Sequence, residues 1–346
     1  MLNRSFEENE IKKTLSWLSK HWDRPIHPEY HSASTVDEAI SMLNSCEGKA
    51  KLFSGGIDVI SLMKNRVLLP DVLVNIKPIK RLKTIVVNSR GIAIGTLALI
   101  NDLERSGLIK DKYPILFETA HSIASPHIRN MATIGGNLCQ DSRCWYYRRS
   151  PDTGISFDCK RKRGEGKCYA RGGENQYHAI MGESGCVSVC PSDMATTLLA
   201  MDARIKTVSS SGRRLIPIDE LYTPFGNILK HDELITRLEI PEIPFGSKQK
   251  FIKFRLRKTI DFAIVSVAAV IKLEGKVVSD ARIVLGGVAS KPYRAVKAEE
   301  CLLGETITER SAAEAAERAV VEARPLSKNG YKVQIVKALV RRAVMT

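Results

Sequence analysis

No stretch of the 346 residues is apolar for the roughly 18–20 positions that a bilayer span requires, so no membrane span is expected. Residues Met1 to Arg24 lack an unbroken apolar core and a small-residue cleavage site. They do not read as a secretion signal, and a cytoplasmic location is expected. The chain also lacks a helix-turn-helix pattern, an aromatic strand of the RNA-recognition type and Cys2His2 spacing. Its net charge of +15 favours acidic partners, but the basic residues are scattered and no nucleic acid is expected. Neither Gly-x-Gly-x-x-Gly nor a Walker pattern occurs, which argues against a Rossmann site or a P-loop. There is no internal repeat and no low-complexity segment. Hydrophobic content of 44% and charged content of 26% are those of an ordinary globular protein. The length fits two or three domains of roughly 100–200 residues each.

Eight cysteines without a secretion signal point away from a disulfide framework. Six of them crowd into 52 residues, spaced Cys139-x4-Cys144-x14-Cys159-x8-Cys168-x17-Cys186-x3-Cys190. Four thiolates hold either a 4Fe–4S cluster or a zinc ion. Cys139-x4-Cys144 and Cys186-x3-Cys190 would serve as zinc knuckles, so the spacing leaves iron–sulfur, zinc and unligated thiols all open. The run Lys160-Arg161-Lys162-Arg163 lies inside this loop, where it would offset a negatively charged cluster, guide an acidic redox partner, or simply be solvated surface. Cys46 and Cys301 lie alone in helical patterns and read as buried thiols.

Apolar residues Ile11, Leu15, Trp17, Leu18 and Trp22 give a short amphipathic helix over 1–24, packed either on its own domain or on a partner subunit. Thr35 followed by Glu38 is a capping box for a helix over 35–46. A strand at 50–53, the turn Ser54-Gly55-Gly56-Ile57-Asp58 and a helix over 59–65 follow. Strand, glycine turn, helix is the order that offers backbone N–H groups to a phosphate. A strand at 71–76, a hairpin over 82–95 and helices at 99–106 and 114–123 come next. Pro191-Ser192-Asp193 caps a helix over 194–201, before strands at 204–208 and 215–217 and a helix from Ile218. Two prolines and a glycine at 241–248 mark a boundary. Beyond it, strand-like runs at 249–257, 264–274 and 280–287 precede helices at 295–303, 311–324 and 330–344. That is a small α+β domain with one antiparallel sheet.

The second glycine turn, Ile134-Gly135-Gly136-Asn137, lies 80 residues after the first. Paired glycines let a backbone approach an anion without Cβ interference, although a lone Gly-Gly is most often just a tight turn. Taken together, Ser-Gly-Gly-x-Asp at 54–58, the run from Ile123 to Leu138 containing Ile128-Arg129-Asn130-Met131-Ala132-Thr133-Ile134-Gly135-Gly136-Asn137, and Pro191-Ser192-Asp193-Met194-Ala195 resemble the FAD-binding subunit of the molybdenum hydroxylases, the xanthine dehydrogenase family. The likeness runs from about residue 28 to the C-terminus. The cysteine loop resembles the minority of that family that carry an extra 4Fe–4S cluster. Those are the 4-hydroxybenzoyl-CoA reductase β subunit and the FAD subunit of periplasmic-type aldehyde oxidoreductases.

The resemblance implies an α+β architecture. A two-subdomain FAD-binding domain of the PCMH/vanillyl-alcohol-oxidase type (25–243, with the cluster loop at 138–191) would precede a small C-terminal domain (247–346) with a three-stranded antiparallel sheet and helices. It implies that Leu52, Phe53, Ser54, Gly55, Gly56, Ile57, Asp58 and Val59, with Thr133, Ile134, Gly135, Gly136 and Asn137, wrap the FAD diphosphate. Ile123 would lie near the cofactor and Asp193 would hydrogen-bond its ribityl or ribose part. Ile235 would pack on the flavin side, and Lys253 would sit near the isoalloxazine. Cys144, Cys159, Cys168 and Cys186 would ligate the cluster, with Cys190 the rival of Cys186. Asp193 also reads as a plain helix cap and Lys253 as a solvated strand residue. His178 reads as a loop histidine bonded to backbone, and Trp145, Tyr146 and Tyr147 as a shield for the cluster.

By the same resemblance the chain is an oxidoreductase subunit without catalytic residues of its own, of the aldehyde oxidoreductase or hydroxybenzoyl-CoA reductase type. Its partners would be a molybdenum-cofactor large subunit, a small subunit with two 2Fe–2S clusters, and an external carrier such as ferredoxin. The alternative from a different class is a free-standing zinc or iron–sulfur module without flavin.

Overall fold

The computed structural model describes residues 28–149, 157–163, 166–182 and 185–346. The helix expected over 1–24 lies outside the described residues. The first layer is a parallel sheet of β1 (Glu29–Ser32), β2 (Ala50–Phe53) and β3 (Val72–Asn75), with β3 in the middle. Helices Val36–Ser45 and Ile57–Lys64 make the crossovers. Parallel strands need such crossovers, and their carboxyl ends are where ligands bind in sheets of this kind. Thr35 caps the first helix by accepting the Glu38 N–H at 3.1 Å. Glu38 does not return the bond to Thr35; its carboxylate takes the Ser34 N–H and hydroxyl, each at 2.7 Å. Val36, Ala39, Ile40 and Leu43 bury the inner face of this helix against the sheet.

The second layer is an antiparallel sheet. Its strands are β4 (Ile85–Asn88), β5 (Gly91–Gly95), β6 (Arg204–Ser209) and β7 (Gly212–Pro217), joined after the small hairpin of β8 (Tyr222–Thr223) and β9 (Gly226–Asn227) by β10 (Leu234–Pro241). The order is β4-β5-β10-β6-β7, so β10, which the sequence patterns did not single out, is its central strand. The helix expected from Ile218 is one 3-10 turn, Ile218–Glu220, and the chain then enters β8.

The C-terminal part is a sheet of β11 (Lys248–Phe254), β12 (Val265–Glu274), β13 (Val277–Gly286) and β14 (Tyr293–Arg294), all antiparallel. Three strands were expected; the two-residue β14 adds a fourth, and it is too short to carry a period-2 signal. Helices Val296–Glu300, Glu309–Arg318 and Tyr331–Met345 close over one face, with Ala312, Ala315, Val336 and Val340 fully buried. From the other face Phe251, Ala268, Val270 and Val284 join the core of the second layer. The helix Asp193–Ala200 lies in that seam, and all eight of its residues are buried. Among the described residues no helix is long and apolar enough to cross a membrane.

Candidate functional site

The Ser54-Gly55-Gly56 turn leaves the carboxyl end of β2, where Gly56 adopts a left-handed conformation (φ 73°) and caps the helix Ile57–Lys64. A Cβ on Gly55 would stand 2.0 Å from the Met131 carbonyl oxygen, and one on Gly135 would stand 1.8 Å from Thr96 Oγ1. These two glycines are therefore required by loop packing on loop, whatever the ligand. Ser54 Oγ meets Thr133 Oγ1 at 3.2 Å, so the two glycine turns lie side by side.

The turns differ in what they offer an anion. In the second, Ile134, Gly135 and Asn137 donate to the carbonyls of Ala98, Thr96 and Thr133, each at 2.9 Å, and Gly136 donates to Thr133 Oγ1 at 3.1 Å. In the first, the N–H groups of Gly55, Gly56 and Ile57 have no acceptor among the described residues. The open donors of a helix start thus come from the first turn alone, and the second acts as its wall.

Both turns line a cleft of about 640 Å³ that runs between the first two layers and the C-terminal sheet. Of the residues that the resemblance assigned to the cofactor, all but Phe53 and Ile134 line it. Phe53 turns to Tyr30, edge-on at 5.9 Å, and Ile134 is fully buried in the core because its side chain faces the second layer. Ile123 and Ile235 form apolar wall. Ser192, not Asp193, caps the helix Asp193–Ala200, accepting the Ala195 N–H at 3.0 Å. Asp193, its first residue, is free to pair with Lys253 at 2.7 Å, and the two side chains are only 7% and 4% exposed. Lys253 is therefore not solvated; it forms one end of a buried ion pair on the cleft wall.

Asp58 lines the cleft, but its carboxylate is taken up by the cysteine loop. Its carboxylate accepts the Asp141 N–H (2.7 Å) and pairs with Arg143 (2.9 Å) and Arg148 (2.7 Å), all from the cysteine loop. The neighbouring Asp141 accepts from Tyr147 and Arg161; although burial raises its carboxyl pKa, these partners hold it below the usual range. Burial pushes the Arg143 guanidinium down to about 10, so it stays charged near neutral pH. Arg143 also stacks on Phe262, 4.5 Å from the ring centre. The contacts of Asp58 had no sequence signal, because its partners lie more than 80 residues away and look like ordinary surface charges.

The cysteines divide into two groups. Cys139 and Cys190 line the cleft. Cys144 and Cys159 each feel the charge of Cys186, and Cys159 also that of Cys168, so the four expected ligands are electrostatic neighbours. Burial pushes the Cys144 thiol up to about 11 and that of Cys190 up to about 12. Among the described residues, no three Cys, His, Asp or Glu side chains converge closely enough to hold a metal ion. The donor chemistry of the four thiols nonetheless fits a thiolate-bound cluster. The His178 ring places Nε2 3.2 Å from Cys144 Sγ; burial, then the Lys332 charge, press its pKa down to about 4, against a backbone hydrogen bond with Asn175. Tyr146, Phe157 and Tyr169 pack ring on ring around this region, with Phe157 and Tyr169 4.9 Å apart, and Trp145 stands at the surface against Tyr177. The loop is gripped from behind by the last helix and the turn before it: Asn329 and Lys332 hold the His178 carbonyl, and Asn175 binds Ser327 and Lys328.

A cleft with open backbone donors at a strand–turn–helix junction and a second domain closing its far wall is the architecture of a dinucleotide-binding flavoprotein. The sequence matches the family described as FAD binding domain in molybdopterin dehydrogenase over residues 24–243. It matches the CO dehydrogenase flavoprotein C-terminal domain over 250–346. It is 32% identical to the aldehyde oxidoreductase FAD-binding subunit PaoB of Escherichia coli K12, over 89% of this chain and 94% of that one. It is 26% identical to the glyceraldehyde dehydrogenase medium chain of Sulfolobus acidocaldarius, over 91% and 96%. Among solved structures it superposes on a chain of the carbon monoxide dehydrogenase from Hydrogenophaga pseudoflava with a TM-score of 0.73 at 27% identity, covering 93% of this chain and 97% of that one. The chain belongs to the FAD-binding medium subunits of the xanthine dehydrogenase and CO dehydrogenase family, and is an electron-transfer flavoprotein subunit.

Proposed function

We propose that this chain carries FAD between the molybdenum-bearing large subunit and the 2Fe–2S small subunit of a heteromeric hydroxylase on one side and an external one-electron carrier such as ferredoxin on the other. We further propose that Cys144, Cys159, Cys168 and Cys186 hold a 4Fe–4S cluster beside that flavin. FAD suits a junction of this kind because it exchanges electrons singly or in pairs. The chain's own residues bind and orient it. The Gly55, Gly56 and Ile57 N–H groups receive the diphosphate, Ile123 and Ile235 pack against the cofactor, and the Asp193–Lys253 pair provides polar contacts for its ribityl and ring portion.

The observation that carries the reading is the adjacency of the two centres: the cleft and the cysteine loop share Arg143, and Asp58 ties one to the other. A half-buried aromatic surround of the kind formed by Tyr146, Phe157 and Tyr169 is one of the means by which a protein sets a cluster's potential. The test is to purify the natural complex under anaerobic conditions and measure FAD, iron, zinc and molybdenum per chain. The reading predicts one FAD and, in this chain, iron in cluster stoichiometry without zinc. A colourless chain ends the flavin assignment; flavin without chain-bound iron ends the cluster assignment alone.

A further inference from the structure

We propose that Arg143, supplied by the cysteine loop, is the counter-charge for the diphosphate of FAD, so that the loop is part of the flavin site rather than a separate module. The inference rests on the FAD reading and does not require the cluster.

The phosphate turn offers only neutral donors, the N–H groups of Gly55, Gly56 and Ile57. The next side chain, Asp58, has the wrong sign for a diphosphate. The structure cancels it twice over, because Arg143 Nη2 and Arg148 Nη2 both reach the same Oδ1 oxygen, at 2.9 and 2.7 Å. Further along, Asp141 is matched by Arg161. Two carboxylates thus face three guanidiniums in a network whose side chains are all at most 26% exposed, which leaves one positive charge without a partner. An uncompensated charge in a partly buried site is costly until an anion arrives.

Arg143 is the member of the network placed to meet that anion. It lines the cleft, its Nη2 is anchored to Asp58 and Gln140, its face rests on Phe262, and its Nη1 has no acceptor among the described residues. Of the other cations lining the cleft, Lys253 is paired with Asp193 and Arg161 with Asp141, while Lys51 and Lys230 are exposed side chains that no carboxylate among the described residues holds in place. A guanidinium already fixed in place loses little freedom on binding phosphate, and its planar fork suits phosphate oxygens.

The experiment uses the full chain freed of flavin and titrated with FAD, riboflavin and ADP, for the wild type, Arg143→Met and Arg143→Lys. Arg143→Met weakens FAD and ADP by roughly 10- to 100-fold, the range of a charge-assisted hydrogen bond, and leaves riboflavin within about twofold. Arg143→Lys keeps part of the affinity, and the salt dependence of FAD binding flattens only in the Met variant. Equal losses for FAD and riboflavin would mean that Arg143 merely shapes the cleft and would overturn the proposal, as would unchanged FAD affinity. A wild type that binds riboflavin but gains nothing from the ADP half would overturn it without any variant. Failure of the wild type to bind flavin at all would instead strike the functional reading beneath it.

Discussion

Gly55→Ala tests whether the proposed FAD cleft depends on two loops packed backbone to backbone. The added Cβ would lie 2.0 Å from Met131 O, 2.9 Å from its carbonyl carbon and 3.3 Å from Ala132 Cα. Ordinary contact begins at 3.4 Å, so the turn and the Met131 segment must part by about 1.4 Å. No flexible side chain can absorb this, because every close atom is main chain. Overpacking of this kind costs typically about 1–3 kcal/mol. The shift also falls between the open N–H groups of Gly55–Ile57 and the wall formed by Thr133–Asn137. A misplacement of about 1 Å in a preorganised site is worth on the order of 100-fold in what that site does. Gly136→Ala is the mild comparison, since its Cβ would meet only Thr133 Oγ1 at 3.0 Å and Ser54 Oγ at 3.3 Å. Gly107→Ala, with nothing within 4 Å, is the neutral one. Urea unfolding and FAD titration of the three variants should rank Gly55→Ala far below the others in both readouts. If Gly55→Ala unfolds within about 0.5 kcal/mol of Gly107→Ala, the scatter expected for harmless substitutions, and still binds FAD normally, the loop-on-loop account is wrong.

Lys332, completely buried against the carbonyls of Tyr177, His178 and Gly287, is pushed by burial from 10.5 down to about 7. Between those two values the unfolded chain keeps a proton that the folded chain has released, so stability rises with pH across the window, by at most about 1.4 kcal/mol per pH unit. Lys332→Met should remove that slope, measured by urea unfolding at several pH values, and a slope unchanged by the substitution would refute the assignment. Asp193→Asn strands the Lys253 charge in the cleft wall and should cost about 3–5 kcal/mol. Asp193→Asn with Lys253→Met should recover much of this, and a double-mutant cycle that is simply additive would show that the pair is not coupled.

Local chemistry made part of this legible in advance. Thr35 caps its helix because a threonine oxygen can satisfy an orphan N–H, and the glycine turn at 54–56 follows its strand because Gly56 takes a left-handed φ that other residues resist. The long strands β12 and β13 also follow from their own apolar runs. Pairing across the fold was not legible. Asp58 and Arg148 are 90 positions apart and Lys253 and Asp193 are 60 apart, and nothing in either segment marks the other. Lys332 sits in a helix with many lysines and arginines nearby; only the tertiary placement of the cysteine loop makes it the buried one. Likewise β10 is modest as a local pattern and becomes the centre of its sheet only because β5 and β6 flank it.

The same long-range contacts fix the cysteine loop in place, as the proposed cluster would require. A loop with its own freedom would let a cluster wander, and with it the gap across which electrons pass. Here the segment after Leu138 is fastened in front by Asp58 through Asp141, Arg143 and Arg148, and behind by Asn329 and Lys332 at the start of the last helix. The front anchor belongs to the FAD-binding domain and the rear anchor to the C-terminal domain, the two parts that close over the cleft. With the proposed Arg143 contact to the diphosphate, binding of the dinucleotide and ordering of the loop would draw on the same bonds. By linkage, whatever tightens one must tighten the other by the same free energy.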